Sequence, residues 1–238
     1  MKRLGLLGVG LVFVCAGCGG DDDDGTTVDS GTVVDSSVMT ADAAAPTTVS
    51  GHVTTDNGGS GAPLGTGTVS VAGSSPAITT ALANDGAYSL QVPRGPAFIR
   101  VTSPTVATIQ EGVVVGATPI TLDFRAISTS NVTQVLGALS ITQDTAKGVV
   151  LVDFAGGAPG SQYGATLSAT HGASFNPETP ALASTVPGDK QLVFPNVVAG
   201  TTTVTAMPPS GHTCSPHAAI TAFRVDANVF TQVVFDCN

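Results

Sequence analysis

Between Thr47 and Ile127 apolar and polar residues alternate with a period of two, and this feature constrains the chain more than any other. Val49, Gly51 and Val53 alternate with Ser50, His52 and Thr54, and the pattern returns in Tyr88-Ser-Leu90-Gln-Val92 and Ile120-Thr-Leu122-Asp-Phe124-Arg125. Successive side chains of a strand point to opposite faces, so such runs predict strands with one buried and one wet face. Turn formers stand between them: Asp56-Asn-Gly-Gly59 with Pro63, Asn84-Asp85-Gly86, and Pro93-Arg94-Gly95. Glycine and asparagine accept a positive φ and proline locks φ, so each group is a chain reversal with a mechanism. About six or seven short strands at this spacing predict an antiparallel sandwich.

Composition agrees. With 29 Gly and 15 Pro against 5% aromatic residues and no Trp, many turns and little helix are expected, while 42% hydrophobic residues suffice to fill cores. The period changes once. Val132, Val135, Leu136 and Leu139 fall at helical spacing, with Ser130 or Asn131 as candidate caps, which predicts about three helical turns within 128–143.

Strand patterns resume at Val149 to Phe154. One further strand is expected at Ala165 to Thr170 within a weakly patterned stretch, another at Thr203 to Met207, and a final hairpin from Ala222-Phe-Arg-Val225 and Val229 to Cys237 around Asp226-Ala-Asn228. A shift of 105 positions places Val92, Gly95, Ile99, Val101 and Pro104 on Val197, Gly200, Val204, Ala206 and Pro209, which suggests a divergent internal duplication. The expected fold class is therefore all-β. Two small antiparallel sandwiches of seven-strand type occupy 47–127 and 147–238, joined by a helical connector at 128–146.

Several of the residues above also resemble a known family. Val49-Ser-Gly-His-Val53, the strand Gly67-Thr-Val69-Ser-Val71, Asn84-Asp85-Gly86-Ala-Tyr88-Ser-Leu90 and Val92-Pro-Arg-Gly95 resemble the carboxypeptidase regulatory-like, or transthyretin-like, domain. The resemblance implies a seven-strand accessory sandwich without catalytic residues of its own.

The amino terminus has a different character. Lys2 and Arg3 precede an apolar run from Leu4 to Val14, too short to span a bilayer, and Ala16-Gly17 forms a small-residue cleavage site before Cys18. This resembles a bacterial lipoprotein signal over 1–17, which implies that Cys18 becomes the lipidated first residue, carrying palmitate and anchoring the chain to the membrane of the cell envelope, at the outer membrane or its periplasmic face. The other reading is an ordinary secretory signal. Loss of Lys2 and Arg3 with the signal takes the formal net charge from −9 to −11. Residues 18–46 read as a low-complexity acidic linker. Asp21 to Asp24 repel one another, and no calcium-loop spacing follows them. With no basic patch to neutralise phosphates, nucleic acid is excluded as a partner.

Catalytic motifs are absent from the sequence. Ser60 lacks the second glycine of a nucleophile elbow, Gly65-Thr-Gly67 leads into a strand rather than a helix, and no paired His and Glu of the metallocarboxypeptidase type occurs. No cofactor is implied. Asn131-Val-Thr133 matches a glycosylation sequon and is given no role. His212-Thr-Cys214-Ser-Pro-His217 offers two imidazoles and a thiol for a metal, with Cys237 as a fourth ligand; the competing and favoured reading for an exported chain is a disulfide between Cys214 and Cys237. The expected function is a non-enzymatic envelope module for binding, adhesion or scaffolding. The alternative is a carbohydrate-binding module, for which Tyr163 is the one candidate platform because Tyr88 falls on the apolar face of its strand.

Overall fold

A computed structural model describes residues 45–56 and 61–238. Cys18 with its expected lipid, the expected signal at 1–17, nearly all of the 18–46 linker, Ser60 and most of the first predicted turn lie outside the described residues.

The described chain is all-β with one helix. Its first half runs β1 (Thr47–Asp56), β2 (Ala62–Pro63), β3 (Thr68–Val71), β4 (Thr79–Ala81), β5 (Ala87–Val92), β6 (Gly95–Ser103), β7 (Val106–Val115), β8 (Ile120–Thr121) and β9 (Phe124–Ile127). Then come the helix α1 (Thr129–Ala138) and β10 (Lys147–Ala155). The second half adds β11 (Gln162–Leu167), β12 (Phe175–Asn176), β13 (Ala181–Leu182), β14 (Thr185–Pro187), β15 (Gln191–Val198), β16 (Gly200–Thr202), β17 (Val204–Met207), β18 (Cys214–Pro216), β19 (Phe223–Val225) and β20 (Phe230–Cys237).

The alternation does what it predicts. Thr47, Val49, Gly51 and Val53 of β1 are buried, as are Tyr88, Leu90 and Val92 of β5, to which β1 pairs antiparallel. In the turn at Asn84-Asp85-Gly86, Gly86 has φ 80° and the Asp85 carboxylate accepts from the Ala87 amide at 3.0 Å. Gly51 is required for another reason: a Cβ there would collide with the carbonyl of Leu122, on the segment between β8 and β9 that flanks β1.

A ten-stranded sheet runs through both halves, and the last strand is its hinge-pin. β20 pairs along seven residues with β10 in parallel, while its other edge is shared, Phe230 to Gln232 pairing parallel with β7 and Phe235 to Cys237 pairing antiparallel with β18. The halves are thus joined by backbone hydrogen bonds as well as by the connector, and the pairing includes parallel ladders where antiparallel ones were expected. A strand covered on both faces loses its alternation. Accordingly Val149, Val150, Leu151 and Val152 are all buried, and the two faces of β10 serve two cores. Val149 and Leu151 join the core built on Val49, Ile99 and Phe124; Val150, Val152 and Phe154 join a second core with Tyr163, Phe194, Val225 and Phe235.

The predicted final hairpin requires correction. Its turn exists, with Asn228 at φ 57°, but β19 pairs with β16, and β20 pairs with β10, β7 and β18. The reason is polar: Asp226 is held by Arg100 and Arg224, and Thr231 Oγ1 donates to the Arg224 carbonyl at 2.9 Å, so the chain is bent out of a simple ladder. The helix has the expected length of about three turns, but its cap is Ser128 rather than Ser130 or Asn131, its hydroxyl accepting from the Asn131 amide at 3.2 Å. None of its residues is buried; Val135, Leu136 and Leu139 rest partly on the first core. Gly95 and Gly200, which the 105-residue shift aligns, both take positive φ, 119° and 139°, as each opens a strand.

Candidate functional site

A cavity of about 630 Å3 lies over the shared sheet, on the face that carries the first core. Its floor is Val149, Leu151 and Asp153 of β10 and Val193 of β15; α1 forms one wall through Val132, Gln134 and Val135, and Phe175 and Phe230 complete the apolar part. The rim carries Asp56, Arg125, Glu178 and Asp189. The size is that of a small-molecule site, and the lining is mixed, with apolar and polar side chains in similar measure. The cavity exists because α1 leans on the sheet without burying any of its own residues, so that Val132 and Val135 line open space.

Asp153 is the chemical centre. It occupies the place in β10 where the Val149, Leu151 alternation calls for an apolar residue, and burial pushes its carboxyl up, against the lowering effects of hydrogen bonds from Gln191 and Gln232 and of the Arg125 charge. Gln232 Nε2 donates to Asp153 Oδ2 at 2.9 Å. Along the same face, Glu111 of β7 is buried and its carboxyl is pushed up to about 7, chiefly by burial, with His217 lowering and Asp153 raising it. The rim is tied by ion pairs: Arg125 to Asp56 at 3.3 Å and Lys190 to Glu178 at 2.8 Å. Asp189 Oδ1 accepts from the Gly156 amide at 2.7 Å.

Sequence reasoning missed Asp153 and Glu111. The signal was present: each is a carboxylate inside an otherwise apolar strand run, where an unpaired charge is costly.

The residues singled out in the sequence lie elsewhere. Cys214 and Cys237 are bonded, as partners across the β18 and β20 ladder. His217 Nδ1 lies 2.9 Å from Asp236 Oδ2, and His212 Nδ1 meets the Asn238 carbonyl. With Cys214 oxidised, the weak alternative of a metal on His212, Cys214 and His217 loses its thiolate, and among the described residues no three such groups converge. Tyr163 corrects the platform expectation. It is fully buried, its hydroxyl accepts from the Ala158 amide at 2.9 Å and its ring packs tilted against Phe154, so it offers no face to a ligand. Tyr88 is core as expected, its hydroxyl donating to the Leu122 carbonyl at 2.7 Å. Among the described residues no helix is long and apolar enough to cross a membrane.

No family model matches the chain. No curated protein matches it either. Solved structures similar over most of its length include the shaft pilin SpaA from Lactobacillus rhamnosus GG, at 12% identity and a TM-score of 0.28, covering 81% of this chain and 98% of that one. GBS52, a minor pilin of Streptococcus agalactiae, is similar at 9% identity and a TM-score of 0.25, covering 80% and 95%. The Bacillus anthracis TIE protein is similar at 10% identity and a TM-score of 0.28 over 81% of this chain, which spans only 34% of that protein.

Proposed function

We propose that this chain is a non-enzymatic binding or scaffold module of the bacterial cell envelope, exported and held to the membrane through a lipid on Cys18. The observation that carries the binding role is the cavity over the shared sheet. Its carboxylates are each engaged by a structural partner, Asp56 by Arg125, Glu178 by Lys190, Asp189 by a backbone amide and Asp153 by glutamine amides. Such groups are set to hold a ligand in one orientation rather than to exchange protons with it. Export is supported by the Cys214–Cys237 bond, which belongs to oxidising compartments.

On this reading 47–127 acts as the accessory sandwich of carboxypeptidase regulatory-like type and 147–238 as its diverged partner, with 18–46 as the tether. The test is palmitate labelling and fractionation of cells making the chain or its Cys18→Ser variant. Label and membrane association in the parent, both lost in the variant, are expected. Label that survives the substitution, or a chain found in the cytosol, overturns the assignment.

A further inference from the structure

We infer that the cavity over the shared sheet binds an amphipathic organic cation, with its ammonium group on Asp153 and its apolar body against Val132, Val135 and Phe230, which line the cavity and are only half-buried. The inference deepens the binding role proposed above and rests on it.

The floor is apolar except at one point. Val149, Leu151 and Val193 are all buried members of the first core, and between them and the rim stands a single carboxyl held from the neighbouring strand by Gln232. Two amide donors fix that carboxyl in place without neutralising it. A cationic N–H donor would complete it with a charge-assisted hydrogen bond, the stronger kind. The apolar part of the same ligand would cover Val132, Val135 and Phe230, which are only half-buried, and removal of apolar surface from water is favourable in proportion to its area.

Charge selects against the other ligand classes. Asp56 is paired with Arg125 and Glu178 with Lys190, so the carboxylates without a cationic partner are Asp153 and Asp189, and an anion meets repulsion there. A bare metal ion would leave the apolar wall uncovered. A sugar is served by open aromatic faces, and here Phe175 is buried and both tyrosines are core, which leaves Phe230 alone.

The test is an NMR titration of the 15N-labelled protein with phenethylamine, alongside 3-phenylpropionate and methyl glucoside. Saturable shifts at the Leu151, Asp153, Gln191 and Val193 amides are expected with the amine alone. Asp153→Asn, nearly isosteric, should weaken binding about tenfold or more. Val132→Phe, which fills the cavity from the helix side and leaves the carboxyl intact, should abolish it; well-dispersed spectra of both variants show that they fold. A flat amine titration, undiminished binding by Asp153→Asn, or equal binding of the carboxylate overturns the inference. Binding of the glucoside instead overturns the cation and leaves the binding module standing, whereas a cytosolic location in the fractionation test overturns the module.

Discussion

The guanidinium of Arg100, on β6 in the first half, pairs with the carboxylate of Asp226, 126 residues later at the turn before the last strand. Gln110 stands beside them with no exposure, accepting from Arg100 Nη2 at 2.7 Å and donating to the Arg224 carbonyl at 2.8 Å and to Thr231 Oγ1 at 3.1 Å. This network leaves none of its buried side-chain polar atoms without a partner and fixes how β20 enters between β7 and β10. Burial opposes ionisation of Asp226, but the Arg224 hydrogen bond and the charges of Arg100 and Arg224 outweigh it and hold the carboxyl below its usual range. Asp226→Asn should therefore lower stability by about 1–3 kcal/mol, read as a shift in the urea midpoint at neutral pH.

Glu111 sets the pH dependence. The folded protein holds a proton on this carboxyl that the unfolded chain releases, because burial moves it from 4.5 to about 7. Its stabilising contribution is complete below about pH 4.5 and is lost as pH rises through 7, a swing on the order of 3 kcal/mol. Asp153 is raised too and works in the same direction; Asp226 is lowered, and its contribution is lost only as pH falls through the acid range. Urea midpoints should fall from about pH 5 to pH 8, and Glu111→Gln should flatten most of that slope. A parental midpoint that rises over this interval contradicts the assignment.

The Cys214–Cys237 bond closes a loop of sequence separation 23. A closed loop of this length removes about 3 kcal/mol of unfolded-chain freedom in the chain-entropy account. The paired Cys214→Ser, Cys237→Ser variant should lose about that much. Thiol counting on the denatured, unreduced protein should find neither of these two cysteines free.

Gly51 has no room for a side chain against the Leu122 carbonyl. Gly51→Ala should force β1 away from the β8–β9 segment and cost about 1–3 kcal/mol, seen as a lower thermal midpoint.

Much of the fold was legible in residues whose local pattern and tertiary position agree. The half-buried strands β1 and β5 and the turn at Gly86 follow from alternation and φ preferences alone. The shared sheet was not legible, because a run such as Val149 to Phe154 states that both faces are covered without stating which strands lie beside it. The final hairpin was misread for the same reason: adjacency in sequence favours β19 with β20, while the Arg100, Asp226 and Thr231 contacts that decide otherwise come from distant positions. The disulfide was legible from the expectation of export, under which Cys214 and Cys237 are the two cysteines left to pair. The cavity was not, since Asp153, Arg125 and Gln191 meet only once β9, β10 and β15 are placed.

Native-state hydrogen exchange on the whole protein tests most directly whether the two halves form one body through β20. If backbone pairing across β7, β20 and β10 governs stability, the slowest amides of Val101 and Ile109, of Val150 and Val152, and of Thr231 and Val233 exchange with one common opening free energy. Amides of the first half opening several kcal/mol below those of β10, with β20 following only one of the two, would contradict it.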